Sequence, residues 1–265
     1  MGAGCMKERA KTTATPRGAI PIGLQIYSVR VDAEKDLAGT IAKVAKMGYE
    51  GVEFAGYYGH SAKDIRKMLD DNGLVCCGTH TAMETLADDK LADTIAFNKT
   101  IGNKYLIVPW LKPDEANARQ AWLTYAKRFN ELAEKVRPHG MKVGYHNHAH
   151  DFAPVDGTTG WDLLASNTNK DIIMQFDTGN ALSGGGDPMV YLKRYSSRAT
   201  TIHIKEYSTT NKNALIGEGD IKWGEIFRLC RAGGTKWYIV EEEKDAYPPL
   251  TAVDLSIKNL KKLLR

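Results

Sequence analysis

The chain has 265 residues, 43% of them hydrophobic, enough to bury one large core or two small ones. Its 36 basic and 32 acidic residues leave a net charge of +4, and no basic block interleaved with aromatics marks a nucleic-acid footprint, so nucleic acid is not an expected partner. No apolar run approaches the roughly 18–20 residues that a membrane span needs. Residues 1–20 are small and polar and read as a flexible lead-in, with one folded domain over 21–265. Gly2-Ala3-Gly4-Cys5 resembles the end of a bacterial lipoprotein signal. Localisation stays open between the cytoplasm and, if that reading holds, the cell envelope. Cys76, Cys77 and Cys230 make no CxxC and are expected as buried thiols.

The regular pattern begins at Ile22, where Ile22 to Val29 reads as a first strand. A helix is predicted from Asp32 to Met47, with Leu37, Ile41, Val44 and Ala45 on one face and Gly48 as its stop. Tyr49 to Phe54 is the second strand. Ser61 caps a helix to about Asp71, ended by Asn72-Gly73. Leu74 to His80 is the third strand, followed by a helix from Leu86 to Ile101. Tyr105 to Trp110 is the fourth strand, and Pro113-Asp114-Glu115 opens a long helix to about Arg137. The fifth strand starts at Met141 and runs into Tyr145-His146-Asn147-His148-Ala149-His150-Asp151. Trp161 to Ser166 is a short helix, Ile172 to Phe176 the sixth strand, and Asp187-Pro188 starts the next helix. Thr200 to Lys205 is the seventh strand, Ile221 to Cys230 a helix, Trp237 to Val240 the eighth strand, and Leu250 to Leu264 the last helix.

Strands alternating with helices imply a parallel sheet with helical crossovers. Eight such units in one domain match a (β/α)8 barrel. A doubly wound open sheet is the alternative, but no GxGxxG follows the first strand. Gly184-Gly185-Gly186 lacks the Lys-Ser/Thr of a phosphate cradle and reads as a loop.

In such a barrel the C-terminal strand ends converge on one mouth. His146, Asp177, His203 and Glu241 lie at the downstream ends of strands five, six, seven and eight. Two imidazoles and two carboxylates are a donor set for a divalent metal. Each residue alone is more simply a satisfied polar group at a barrel rim; four from consecutive strands favour the metal.

The ordered set Gln25-Ile26-Tyr27-Ser28, Gly51-Val52-Glu53-Phe54, Tyr145-His146-Asn147-His148, Asp177-Thr178-Gly179-Asn180, His203-Ile204-Lys205 and Ile239-Val240-Glu241 resembles the sugar phosphate isomerase/epimerase family. That xylose isomerase-like TIM barrel group also includes inosose dehydratases and type-two apurinic endonucleases. The resemblance spans about residues 20–265 and implies a metal set of Glu, Asp, His and Glu on strands five to eight. Here the first position is His146, which removes one negative charge. The expected ion is Mn²⁺, with Co²⁺, Fe²⁺, Zn²⁺ or Mg²⁺ as alternatives. The resemblance also implies a His three residues after the strand-six Asp and a second acid/base Glu six residues after the first ligand. Asn180 and Phe152 stand there instead, with Asp151 one residue before the latter.

A divalent ion on adjacent sugar oxygens polarises the carbonyl and acidifies the α C–H, and the resulting enediolate is stabilised as an anion. Candidates for catalytic groups are His148, His150, Asp151, His80 and Lys205, with His suited to proton transfer near neutrality. Gln25, Tyr27, Glu53, Trp110 and Asn180 are candidates for holding substrate. The bland readings are a solvated loop for His148 and His150, packing for His80, a salt bridge to Glu53 or Glu206 for Lys205, and barrel roofing for Tyr27 and Trp110. The leading expectation is a sugar isomerase or epimerase acting by α-proton abstraction. The second is a lyase that eliminates the β-oxygen substituent of a keto sugar, keto-inositol or 3-keto-glycoside. A non-catalytic, metal-dependent sugar-binding protein is the alternative of another class, and a DNA-repair nuclease is the weakest. The expected partner is a small sugar, with a homo-oligomer left open.

Overall fold

Short apolar strands punctuated by amphipathic helices leave one economical arrangement, a parallel sheet wrapped by its own crossovers. The computed structural model describes residues 19–114 and 118–265. Its sheet strands are β1 (Ile22–Gln25), β2 (Gly51–Phe54), β3 (Val75–His80), β4 (Tyr105–Val108), β5 (Lys142–His146), β8 (Ile173–Asp177), β9 (Thr201–Ile204) and β10 (Trp237–Val240). They close into one barrel in the order β1-β10-β9-β8-β5-β4-β3-β2, and every neighbouring pair is parallel. This is the (β/α)8 barrel that the spacing predicts. Among the described residues no helix is long and apolar enough to cross a membrane.

Helix limits follow from local chemistry. Ser61 and Asp64 exchange side-chain and backbone hydrogen bonds, each 3.2 Å, in a reciprocal cap on α3 (Ala62–Asn72). Gly73 ends that helix at φ +66°, a conformation glycine adopts without a Cβ penalty. The helix predicted from Asp32 to Met47 is two helices, α1 (Arg30–Lys35) and α2 (Leu37–Met47). The break is at Asp36, whose carboxylate leaves helical geometry to accept the Gly39 amide at 2.9 Å.

Other boundaries differ from the predicted ones for similar reasons. The first strand stops at Gln25, and Ile26–Val29 forms a 3₁₀ turn instead. The helix expected from Leu86 is a 3₁₀ turn at Met83–Leu86 and then α4 (Leu91–Ile101). α5 is described over Ala118–Val136; Pro113 and Asp114 precede it outside any helix, and residues 115–117 lie outside the described part. So does Gly2 to Cys5. Two elements are absent from the sequence reading. An antiparallel ribbon, β6 (Pro154–Val155) and β7 (Thr158–Thr159), follows β5, and a short helix, α7 (Thr178–Ser183), starts directly on β8. The helices α6 (Gly160–Ser166), α8 (Pro188–Tyr195), α9 (Trp223–Gly233) and α10 (Pro249–Leu263) complete the outer ring.

Alternation along β5 decides which side chains reach the barrel interior. Tyr145 points outward into an aromatic layer, with ring centroids 6.0 Å from Trp122, 6.3 Å from Phe129 and 6.1 Å from Trp161. Gly144 and His146 therefore face inward. At Gly144 the neighbouring strand comes close: a Cβ there would lie 2.6 Å from both Ile173 Cβ and the Ile173 carbonyl oxygen. Gly144→Ala is thus expected to lower unfolding free energy by about 1–3 kcal/mol through overpacking. A urea denaturation midpoint equal to wild type would contradict that close approach.

Candidate metal and substrate site

Cross-strand register carries the inward residues into rows. Gln25 pairs with Glu53, His146 with Gln175, and Asp177 with His203. Glu241 follows the last residue of β10 and continues the inward set. The outcome is a constellation in which His146, Asp177, His203 and Glu241 each offer a ligand atom within 4.8 Å of the other three, and all four are buried. His80, at the end of β3, forms a second such group with His146 and His203. Its ring lies 4.8 Å from that of His146 and 5.4 Å, stacked, from that of His203.

Hydrogen bonds fix how these groups point. His203 Nε2 meets Glu53 Oε2 at 2.6 Å, and its Nδ1 faces Glu241 Oε2 and, at 3.8 Å, Asp177 Oδ2. Gln175 donates Nε2–H to Glu53 Oε1 and to Thr201 Oγ1, each at 2.8 Å. Its Oε1 lies 3.1 Å from His146 Nδ1 and 3.1 Å from His80 Nε2. Gln25 donates to Glu53 at 2.9 Å. Glu53 has room because its neighbour is glycine: a Cβ at Gly78 would sit 2.3 Å from Glu53 Oε1. Asn147 brackets the Asp177 backbone, accepting its amide at 2.7 Å and donating to its carbonyl at 3.1 Å.

Charge follows from this packing. Burial opposes an ionised Glu53, but His80 and His203 outweigh it and hold the carboxyl well below the usual range. Burial likewise opposes a charged His203, yet Glu53 and Glu241 push it up to about 10. Glu241 is held well below the ordinary range by Lys205 and His203 against its burial. Asp177 is raised to about 6 by burial, and Lys205 opposes the rise. His146 is held well below the ordinary histidine range by burial and by His203, His80 and His148.

The residues fit a divalent ion. Asp177 Oδ1 accepts the Asn180 amide at 2.7 Å, but Oδ2 is buried with no hydrogen-bond partner. An orphaned carboxylate oxygen of this kind is costly unless something cationic meets it. Glu53 and Gln175 each engage one nitrogen of a histidine, which leaves His203 Nδ1 and His146 Nε2 for an ion, as outer partners of metal-binding imidazoles do. An ion at His203 Nδ1 would require that nitrogen to be unprotonated.

The remaining sequence candidates divide. Lys205 is paired with Glu241 Oε1 at 3.3 Å and with Glu243, in place of the expected Glu53 or Glu206. Asn180 Nδ2 donates to the Asn147 carbonyl and lies 3.5 Å from His146 Nε2, inside the cluster. His148 packs 4.5 Å from Trp110, its Nδ1 is without a partner, and burial lowers it to about 4. Trp110 is 53% exposed and also covers His150 at 4.4 Å.

Five candidates are placed otherwise than the sequence reading expected. Asp151 is fully buried behind it, where Tyr145 Oη donates to both of its oxygens at 2.9 Å and the His148 amide donates at 2.7 Å. A carboxylate so enclosed supports the loop and is not placed to touch substrate. His150 donates Nε2–H to the Leu111 carbonyl at 2.9 Å, and so is tied to that loop. Glu53 and Gln25 bond each other on the floor of the site, which leaves Glu53 no free oxygen for a sugar hydroxyl. Tyr27 lies at the surface, 42% exposed, with the Arg30 guanidinium 4.2 Å over its ring.

Sequence reasoning passed over Gln175, Asn147 and Glu243. Gln175 carried a usable signal, since it sits two residues before Asp177 and must share its inward face.

The model of the xylose isomerase-like TIM barrel family matches residues 41–263. The chain is 21% identical over 263 residues to the rhizopine catabolism protein MocC of Rhizobium meliloti, covering 84% of this chain and 80% of that one. It is 23% identical over 251 residues to an inosose dehydratase of Serratia proteamaculans, covering 77% and 82%. A crystal structure of a sugar phosphate isomerase/epimerase from Parabacteroides distasonis superposes with a TM-score of 0.81 at 26% identity, over 95% of this chain and 96% of that one.

Two outcomes follow from the geometry. Glu53→Leu leaves buried His203 and Gln175 without their acceptor, so it is expected to cost about 3–5 kcal/mol and to weaken metal binding about 10–100-fold; denaturation and metal titration read these. The second concerns Asp151, which burial raises to about 7. In the unfolded chain its carboxyl ionises near pH 4. The native state therefore holds an extra proton between about pH 4 and 7, and stability falls as pH rises through that window. Asp151→Asn is expected to flatten this decline in denaturation midpoints; equal slopes for the two proteins would refute it.

Proposed function

This chain belongs to the xylose isomerase-like TIM barrel family, and from that premise we propose that it is a divalent-metal-dependent enzyme that removes the proton α to the carbonyl of a sugar or cyclic polyol ketone. The carrying observation is the buried four-residue donor set with its unpartnered Asp177 oxygen. His146, Asp177, His203 and Glu241 would hold the ion. When bound, the ion supplies Lewis-acid polarisation of the carbonyl and lowers the α C–H pKa.

The chain's own residues account for the rest. His148 is neutral, lies beside the ligands, and has a nitrogen without a protein partner, so it takes the proton. Its imidazole ring is 5.0 Å from that of His146. Lys205 remains charged because Glu241, Asp177 and Glu243 raise its pKa despite burial. It places a cation where negative charge develops on the substrate oxygens. Asn180 orients a hydroxyl, and Trp110 covers the ring and excludes water from the mouth.

The site favours elimination over epimerisation. Epimerisation at one carbon needs a proton donor and an acceptor on opposite faces. Here Asp151 is sealed behind the mouth, and Asn180 cannot titrate. One base and one cation suit loss of the β-oxygen substituent after deprotonation, with Lys205 countering charge on the departing oxygen. The similarity to inosose dehydratases supports the same carbon–oxygen lyase chemistry. One-base isomerisation is the second reading, supported by the likeness to the sugar phosphate isomerase/epimerase structure.

Incubation of manganese-loaded protein with keto sugars, inososes and 3-keto-glycosides in D₂O, followed by NMR, separates these outcomes. Loss of the β-substituent is expected. Deuterium at the α carbon with that substituent retained would mean isomerase. No exchange with any substrate would refute α-proton abstraction. His148→Gln is expected to lower turnover by roughly 10²–10⁴-fold with the metal still bound. Asp177→Ala is expected to abolish both metal binding and turnover, and retention of either would sink the assignment.

A further inference from the structure

We propose that the mouth contains a second subsite, between the loops after β2 and β3, that takes an uncharged ring joined to the reacting sugar through a glycosidic oxygen. The proposal rests on the sugar-binding reading above and names the class of sugar. A recess of about 430 Å³ opens there, within the range of small-molecule sites. It shares His80 with the histidine group at the metal site, so the two spaces lie one imidazole apart.

The lining defines the occupant. Tyr57 and Phe97 pack with ring centroids 4.1 Å apart at a tilt of 33° and are only partly buried, offering an aromatic surface to a ring. Thr81, Thr85 and Asp93 add hydroxyl and carboxylate groups, which suit the hydroxyls of a second sugar or the edge of an aryl group. Among the described residues that line it, none is Lys or Arg. His80 is committed to Glu53 and Gln175. A phosphate would meet Asp93 at the rim and find no cation to pair with. The recess therefore rejects a phosphorylated tail and accepts a neutral one.

The loop that carries Tyr57 is held in an uncommon shape. Tyr58 has φ +52° and Gly56 φ +143°. A bulky residue rarely adopts positive φ, and such strain collects where a chain must present particular groups.

The test is calorimetric. Manganese-loaded protein is titrated with glucose, galactose, mannose and xylose, each as free sugar, methyl glycoside and phenyl glycoside, together with cellobiose and glucose 6-phosphate. For the configuration the site accepts, the phenyl glycoside or the disaccharide is expected to bind about tenfold tighter than the methyl glycoside. Phe97→Ala should remove that advantage and leave methyl glycoside affinity unchanged. Ala82→Trp, at an exposed rim position, should do the same by filling the recess, and so covers the case of a Phe97 variant that does not fold. Equal affinity for methyl and phenyl glycosides, no binding of any ring-bearing glycoside, or tightest binding of glucose 6-phosphate would each overturn the proposal. Failure of metal binding or proton exchange with the ring preference intact would instead count against the catalytic reading alone.

Discussion

Glu53 is a carboxylate with no access to water, and the barrel mouth is built around satisfying it. Gln25, Gln175 and His203 reach it from three other strands, with His80 at 3.2 Å. A buried charge is tolerable only when it is fully partnered, so each of these side chains is held to one orientation. His203 and His80 in turn lower the Glu53 pKa, and Glu53 raises that of His203. The floor is thus a mutually charged unit before any ion binds. Its rigidity sets which imidazole nitrogens remain available above it.

That floor also explains why the unpaired oxygen of Asp177 carries weight. In a loosely packed mouth, an aspartate could rotate toward solvent. Here Asn147 holds the Asp177 backbone and the Asn180 amide holds Oδ1, so Oδ2 is fixed inward. The helix that begins on the very next residue, α7, supplies the Asn180 amide. Aspartate caps that helix with one oxygen and leaves the other free for the proposed ion. One residue position meets a folding requirement and, on the proposed reading, a binding one.

Much of this was legible in the sequence because both signals are periodic. Strand–helix alternation specified the barrel, and the period of two along each strand put His146, Asp177, His203 and Glu241 on its inward face. Gln175 was legible by the same rule, but it lies upstream of the strand end, where its role is to orient His146 and His80 from below. The fate of Asp151 was not legible. It depends on Tyr145 facing outward and turning its hydroxyl back under the loop, a three-dimensional return that linear spacing does not encode. The break at Asp36 follows from a side chain outcompeting the helical backbone, which periodicity also misses. The recess brings Tyr57, on a loop, against Phe97, on α4, and only the closed barrel makes them neighbours.

The charge distribution argues most directly about chemistry. Beside the four donor residues the Lys205 ammonium is held in place by Glu241 and Glu243. Negative charge sits on the floor at Glu53 and beside Lys205 at Glu241. Asp151 could have served as a second acid or base, but it is spent on holding the His148 loop. On the proposed reading His148 accepts the proton and Lys205 is the cation for a developing anion. On that reading a proton comes off and an oxygen leaves, and neither buried Asp151 nor Asn180 is placed to return the proton. Directionality, on that reading, would come from which carboxylates are kept out of reach, as much as from which are present.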